Sequence, residues 1–266
     1  MKSTNEGDSW FSPGMSFSGT GRTILFHPTI QGTFFVATSS GIYKTTNDGV
    51  SCTQVQAGNF EDLVFQPRNP NVLYACGNAG FYKSIDGGAS FTKITVGTSE
   101  RLKLAVTPAD SNYVYLVEKL GSAFGAIYRS TNAGVSFTQR SASNPPYFTQ
   151  ASRDMAIMAS SSNADEIHVA GMNNHRSLDG GNSFTTLSTW SAPSDPSYIH
   201  ADVEVMVCVN DVLYAGSDGG LFRSTNNGDN YTDLSRLGGL AVHQFYRIAG
   251  NRNDASMMMG GAQDNG

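Results

Sequence analysis

The sequence predicts an all-β propeller of four-stranded antiparallel blades. Three observations predict it. An eight-residue phrase recurs six times along the 266 residues. Each period between phrases holds four short runs of β-branched and aromatic residues. Helix signals are almost absent. The two cleanest copies are residues 84–91, Ser-Ile-Asp-Gly-Gly-Ala-Ser-Phe, and residues 177–184, Ser-Leu-Asp-Gly-Gly-Asn-Ser-Phe. Residues 130–137 carry Asn for Asp, and residues 3–10, 45–52 and 224–231 are looser copies. The third positions are Asn5, Asn47, Asp86, Asn132, Asp179 and Asn226, spaced by 42, 39, 46, 47 and 47 residues. Such a period, carried by short strands, marks a repeat architecture.

The phrase suits a tight hairpin. Asp or Asn at the third position can fold its side-chain oxygen back onto backbone N–H groups. Gly at the fifth supplies a positive φ without a Cβ clash. The closing ring (Trp10, Phe91, Phe137, Phe184, Tyr231) can pack beneath the turn, and Cys52 takes that place in the second copy. A calcium loop is disfavoured, because no Glu stands where a bidentate ligand would be needed.

Four strands are expected per repeat. The first full repeat reads as strands at 23–27, 33–37, 41–44 and 52–55, and the second as strands at 62–65, 72–75, 81–83 and 91–94. The third gives 102–106, 113–117, 126–129 and 137–139. The fourth gives 155–158, 166–170, a weak third strand at 175–176, and 184–187. The fifth gives 203–208, 212–215, 221–223 and 231–234, with further runs at 244–248 and 256–259. Pro28, Pro67 and Pro108 follow the first strand of three repeats, where Pro ends a strand without costing a ladder bond. Four antiparallel strands per repeat, arranged radially, make a propeller blade.

The phrase is similar to the Asp-box, or BNR repeat, of sialidases, sortilin-type receptors and family 74 xyloglucan hydrolases. The resemblance implies that each hairpin joins the third and fourth strands of a blade on the outer rim. Residues 1–3 align with the end of a third strand, and residues 260–266 with the turn before one. The expectation is therefore one domain, residues 1–266, with six blades: five complete and a sixth split between the two ends. A fragment of a larger propeller, excerpted from a longer chain with further domains, explains the split as well.

Composition bounds the partners. The net charge is −5 with no basic run, which argues against nucleic acid. No apolar stretch is long enough for a membrane span. Cys52, Cys76 and Cys208 have no metal-site spacing and read as structural thiols. No cofactor and no metal are expected.

Candidate ligand contacts lie away from the phrase. Two links between a fourth and a first strand are long, and long loops on a rigid scaffold concentrate binding. They carry Tyr147 and Phe148 in one, and Trp190 with Tyr198 in the other. Rings there offer stacking faces for a sugar or a peptide. His200, Asp202 and Glu204 follow; strand alternation would put all three on one face, either holding a metal or lining a wet channel.

Residues 198–266 further resemble a module of secreted bacterial Asp-box proteins, in His200, Asp202, Gly219-Gly-Leu221, Gln244-Phe-Tyr246 and Gln263-Asp-Asn-Gly266. Glu204 replaces the module's second His. The resemblance implies an extracellular or cell-surface protein. Catalysis is harder to support: a sialidase motif is lacking at Tyr246-Arg-Ile-Ala249, and no carboxylate has an identifiable partner for glycoside hydrolysis. No catalytic residue is assigned. The expected function is a non-catalytic binding propeller for a polysaccharide or a protein, the alternative being half of a two-propeller family 74-like hydrolase.

Overall fold

The computed structural model describes residues 1–98, 100–141, 150–237, 245–251 and 254–262, with side chains up to Ser235. Five four-stranded antiparallel sheets follow one another along the chain. The first holds β1 (Gly21–Phe26), β2 (Phe34–Thr38), β3 (Gly41–Thr45) and β4 (Thr53–Ala57). The second holds β5 (Asp62–Gln66), β6 (Asn69–Gly77), β7 (Gly80–Ser84) and β8 (Thr92–Ile94). The third holds β9 (Leu102–Val106), β10 (Val114–Leu120), β11 (Ala123–Ser130) and β12 (Thr138–Ser141). The fourth holds β13 (Ala156–Ala159), β14 (Ile167–Ala170), β15 (Asn174–Ser177) and β16 (Thr185–Ser188). The fifth holds β17 (Val203–Val209), β18 (Val212–Ser217), β19 (Gly220–Ser224) and β20 (Thr232–Asp233). A short helix, α1 (Leu234–Leu237), comes next, then β21 (Phe245–Asn251) paired with β22 (Asp254–Ala262).

These are propeller blades, five of them complete, where six were expected with the sixth split between the two ends. Residues 1–20 supply one isolated bridge, Lys2 to Phe11, and β21–β22 form a two-stranded sheet. Residues 263–266, which the sequence places ahead of a third strand, lie outside the described residues.

Strand alternation builds the core between blades. Phe35, Ala37 and Ile42 of the first blade meet Phe60, Leu63, Leu73 and Ala75 around the second. Val72, Tyr74, Cys76 and Phe81 meet Leu102, Leu104, Val114 and Leu116 of the third. Tyr115, Val117 and Ile127 meet Met155, Ile157, Ile167 and Val169 at the fourth. Ala156, Met158 and Ala170 meet Val203, Met206, Leu213 and Phe222 at the fifth. Burial of these apolar faces is the main attraction between blades.

The recurrent phrase forms the hairpin between third and fourth strands. In the clean copy, Ser84 Oγ donates to Asp86 Oδ1 at 2.7 Å and accepts from Gly88 N at 2.9 Å. Asp86 Oδ1 also accepts from Ala89 N and Ser90 N at 3.0 Å. Asn132 repeats the scheme, its amide Nδ2 donating to Ser136 Oγ where Asp86 Oδ2 accepts from Ser90 Oγ. The fifth-position glycines are left-handed as expected. The fourth positions are left-handed too, at Glu6, Asp48, Gly87, Ala133, Gly180 and Asn227, with φ between 56° and 71°. Two successive positive φ values are the type I′ hairpin solution.

Turning the fourth residue over presents its carbonyl to the preceding blade. The residue just before each hairpin is cationic, and in four of the six it uses that carbonyl. Lys44 Nζ donates to Gly87 O at 2.8 Å, Lys83 Nζ to Ala133 O at 2.7 Å, and Arg176 Nη1 to Asn227 O at 2.9 Å. Lys2 reaches the Asp48 carbonyl and carboxylate in the same way. At the fourth blade Arg140 takes this role on Gly180 O, while Arg129 pairs with Asp165. The hairpins therefore staple one blade to the next.

Candidate functional site

First strands of neighbouring blades touch one another, β1 with β5, β5 with β9, β9 with β13 and β13 with β17, so they form the inner edge of the arc. The hairpins occupy the end where first and third strands finish. At the opposite end the links that enter the first strands bring charged residues together. Each stands within two residues of the start of its strand: Arg22, Glu61, Arg101, Asp154 and Asp202.

Arg101 is the fixed centre. Its Nε and Nη2 both donate to Glu61 Oε2, and its Nη1 donates to the carbonyls of Ala151 and Arg153 at 2.9 and 3.0 Å. Four of its five N–H donors are used, and the pair is buried. The next junction is made by acids. Asp154 is buried and hydrogen-bonded to Asp202. Burial, then the Asp202 charge and hydrogen bond, then Glu204, push Asp154 up to about 6, with Arg153 opposing.

A pocket of about 420 Å³ opens over this floor, lined by Arg22, Asn59, Glu61, Arg101, Lys119, Arg153 and Glu204 among others. Lys119 is engaged by Glu100 at 3.1 Å. Arg22, Arg153 and Glu204 are exposed at the rim. Asn59 Oδ1 and Asp202 Oδ1 are buried acceptors that meet no donor among the described residues. A larger groove, about 640 Å³, lies against the outer face of the first blade and is lined by Met15, Phe17, Ile24, Phe26 and Val36. That face is where a neighbouring blade packs at every internal junction, whereas the smaller pocket opens at the inner mouth of the arc.

The sequence-predicted contacts divide. Glu204 lines the mouth, and Asp202 lies beside it, bonded to Asp154. Trp190 is exposed on the link at the same end, its backbone N–H bonded to Asn173 Oδ1. Tyr198 is half-buried, packed on the junction of the fourth and fifth blades with its ring edge-on to Phe222 at 6.4 Å. His200 lies against Gly219, where an added Cβ would fall 2.2 Å from His200 Cβ, and its Nδ1 is 3.2 Å from Ala201 O. Tyr147 and Phe148 lie outside the described residues.

His200, Asp202 and Glu204 do not share one strand face. The strand begins only at Val203, Asp202 is left-handed with φ 61°, and the register shifts between Val203 and Val205. Either irregularity breaks the two-residue period. Among the described residues no cluster of acids, histidines or cysteines has the geometry of a metal site. Arg22, Glu61, Arg101, Arg153 and Asp154 were not singled out from sequence; the available signal was a charge at the entry to the first strand in successive repeats.

No family model matches the chain, and no curated protein matches its sequence. Solved structures do. An ancestral GH74 enzyme is similar over 82% of this chain and 31% of its own, with TM-score 0.64 and 15% identity. The GH74 xyloglucanase of Xanthomonas campestris is similar over 79% of this chain and 37% of its own, with TM-score 0.57 and 14% identity. The structure of YCF48 bound to D1 peptide is similar over 92% of this chain and 75% of its own, with TM-score 0.54 and 15% identity. The fold is thus a β-propeller of the kind found in GH74 enzymes and YCF48. The chain spans about a third of the GH74 enzymes' length.

Proposed function

We propose that the chain is a non-catalytic binding propeller of the Asp-box type, acting outside the cell, and that it holds a segment of a partner protein at the inner mouth. The observation that carries this reading is the pairing of a rigid floor with free charges of both signs. Arg101 and Glu61 satisfy each other below, while Arg22, Arg153 and Glu204 stand exposed above. A peptide presents charges and backbone donors and acceptors to such a rim, and the buried acceptors Asn59 Oδ1 and Asp202 Oδ1 suit N–H donors. A propeller of similar fold is described bound to a peptide, which agrees with this use of the scaffold. The extracellular placement rests on the sequence resemblance alone.

A second reading, half of a family 74-like hydrolase, draws on the GH74 likeness. Against it, Asp154 and Asp202 are in direct hydrogen-bond contact. Glycosidase carboxyls stand roughly 5–9.5 Å apart to admit the sugar or a water between them.

The test is selection of displayed random peptides on the intact chain, with a glycan array and a reducing-end assay on xyloglucan alongside. Peptides whose affinity falls at least tenfold on combining Arg22→Glu with Arg153→Glu are expected. Glycan binding alone, lost in Trp190→Ala, would replace the protein partner with a polysaccharide. Sugar release by the isolated chain would overturn the non-catalytic reading.

A further inference from the structure

The staple between blades leaves one donor and one acceptor over. Arg223 on β19 holds the position that Lys44, Lys83 and Arg176 hold on β3, β7 and β15, directly before a hairpin. It is exposed and meets no acceptor among the described residues, since no following hairpin is in reach. Glu6 is the fourth residue of the 3–10 hairpin and is left-handed at φ 57°, like its counterparts. Its carbonyl is the one of the six that accepts from no cation among the described residues.

The apolar faces show the same asymmetry. Internal blades bury both faces, but Ile24 and Phe26 of β1 are 62% and 67% exposed, and Val205, Val207 and Val209 of β17 are exposed as well. These are the two outermost first strands of the arc.

Two half-blades are present to fill the gap. Residues 1–11 are an outer half. The Lys2–Phe11 bridge has the register of Lys44–Thr53, Lys83–Thr92 and Arg223–Thr232, the pair that flanks each hairpin near the end of the third strand and the start of the fourth. Lys2 already staples this half to Asp48, as a preceding blade would. The antiparallel pair β21–β22 follows the fifth blade as a first and second strand follow each fourth strand. It is an inner half.

We infer that the two halves form one composite blade within a single chain, closing the ring at six. β22 pairs with residues 1–3, Met259 stands opposite Lys2 as Tyr214 stands opposite Arg223, and Arg223 donates to the Glu6 carbonyl. The blade covers the Ile24–Phe26 face on one side and the Val205–Val209 face on the other. Pairing strands from the two ends of a chain in one sheet also removes the exposed sheet edges that otherwise template association.

Hydrogen exchange on the unaltered protein tests this first. In the closed ring, amides on both edges of β22 are protected over 258–260, and Arg223→Glu raises exchange about tenfold in 258–260 and 3–10 together. An edge-strand pattern in the wild type, with the amides of 258–260 that point away from β21 exchanging freely, would overturn the inference. The second measurement combines Lys2→Cys with Met259→Cys, since cross-strand neighbours come within disulfide reach. The expected product is a monomer with a mapped 2–259 disulfide. A disulfide joining two chains, or none, would also overturn closure within one chain.

Discussion

Arg101 presents two nitrogens to one oxygen of Glu61, at 3.0 and 2.9 Å, in the gap between the second and third blades. The pair is nearly dry, and the remaining guanidinium nitrogen holds the 151 and 153 carbonyls of the next link. One side chain therefore ties three blades at the floor of the mouth.

Removing one partner strands the other charge in a buried place. Arg101→Met is expected to cost about 3–5 kcal/mol, while adding Glu61→Leu recovers much of that loss. Urea denaturation of the two single variants and the double variant gives the comparison. A loss in the double variant equal to the sum of the two single losses would show that the charges are not coupled.

A second relationship fixes the hairpin chemistry. A Cβ at Gly88 would lie 2.4 Å from Phe35 Cε1 of the preceding blade, and Gly88 has φ +73°. Gly88→Ala combines left-handed strain with overpacking and is expected to cost about 3 kcal/mol. Ala133 carries the strain without the contact, at φ 56°. Ala133→Gly is expected to gain about 0.5 kcal/mol, strain relief exceeding the added chain entropy. Its carbonyl still receives Lys83 and Tyr74. Thermal melts of the two variants should move in opposite directions.

Acid should loosen two of the hairpins selectively. The Ser90 hydroxyl and amide, with help from Ser84 and Ala89, hold the Asp86 carboxyl well below its usual range. Burial raises Asp179, but the Ser183 hydroxyl and amide, Ser177 and Asn182 outweigh it and bring it to about 2. A depressed carboxyl contributes stability above its unfolded value, near 3.8, and that contribution disappears as pH falls through the folded value. Asp86→Asn with Asp179→Asn keeps the Oδ1 acceptor, as Asn132 does, and removes the titration. The double variant should show a flatter melting temperature between pH 2 and 4 than the wild type; an unchanged slope would refute the assignment.

The Asp154–Asp202 contact has the opposite sign. A carboxyl raised to about 6 contributes stability that is present below the unfolded value of 3.8 and lost as pH rises through 6. Asp154→Asn keeps a donor for Asp202 and adds no charge. It should raise the melting temperature at pH 7–8 and leave it unchanged near pH 3. A gain of the same size at both ends would mean that Asp154 does not titrate in this range.

Much of the blade was legible in the residues. The hairpin phrase, its period and the alternation of Phe35, Ala37 and their counterparts specify four-stranded units, because each signal is local: a turn, a strand, a face. Even the staple was written as a cation before each hairpin, although its acceptor, a carbonyl turned out by a left-handed fourth residue, was not. The mouth could not be read in the same way. Arg101 and Glu61 are 40 residues apart, and Asp154 and Asp202 are 48 apart; only the packing of successive blades brings them within bonding distance. Tyr198 reads from the sequence only as a ring in a long link; its half-buried packing edge-on to Phe222 comes from the fifth blade. Asp202 and Glu204 looked like neighbours on a face until a left-handed residue and a register shift parted them. The sequence by itself determined the blade and its repetition, since those follow from short-range sterics and pattern. Tertiary structure alone decided which charges meet at the axis, because that depends on how far each blade turns from the last.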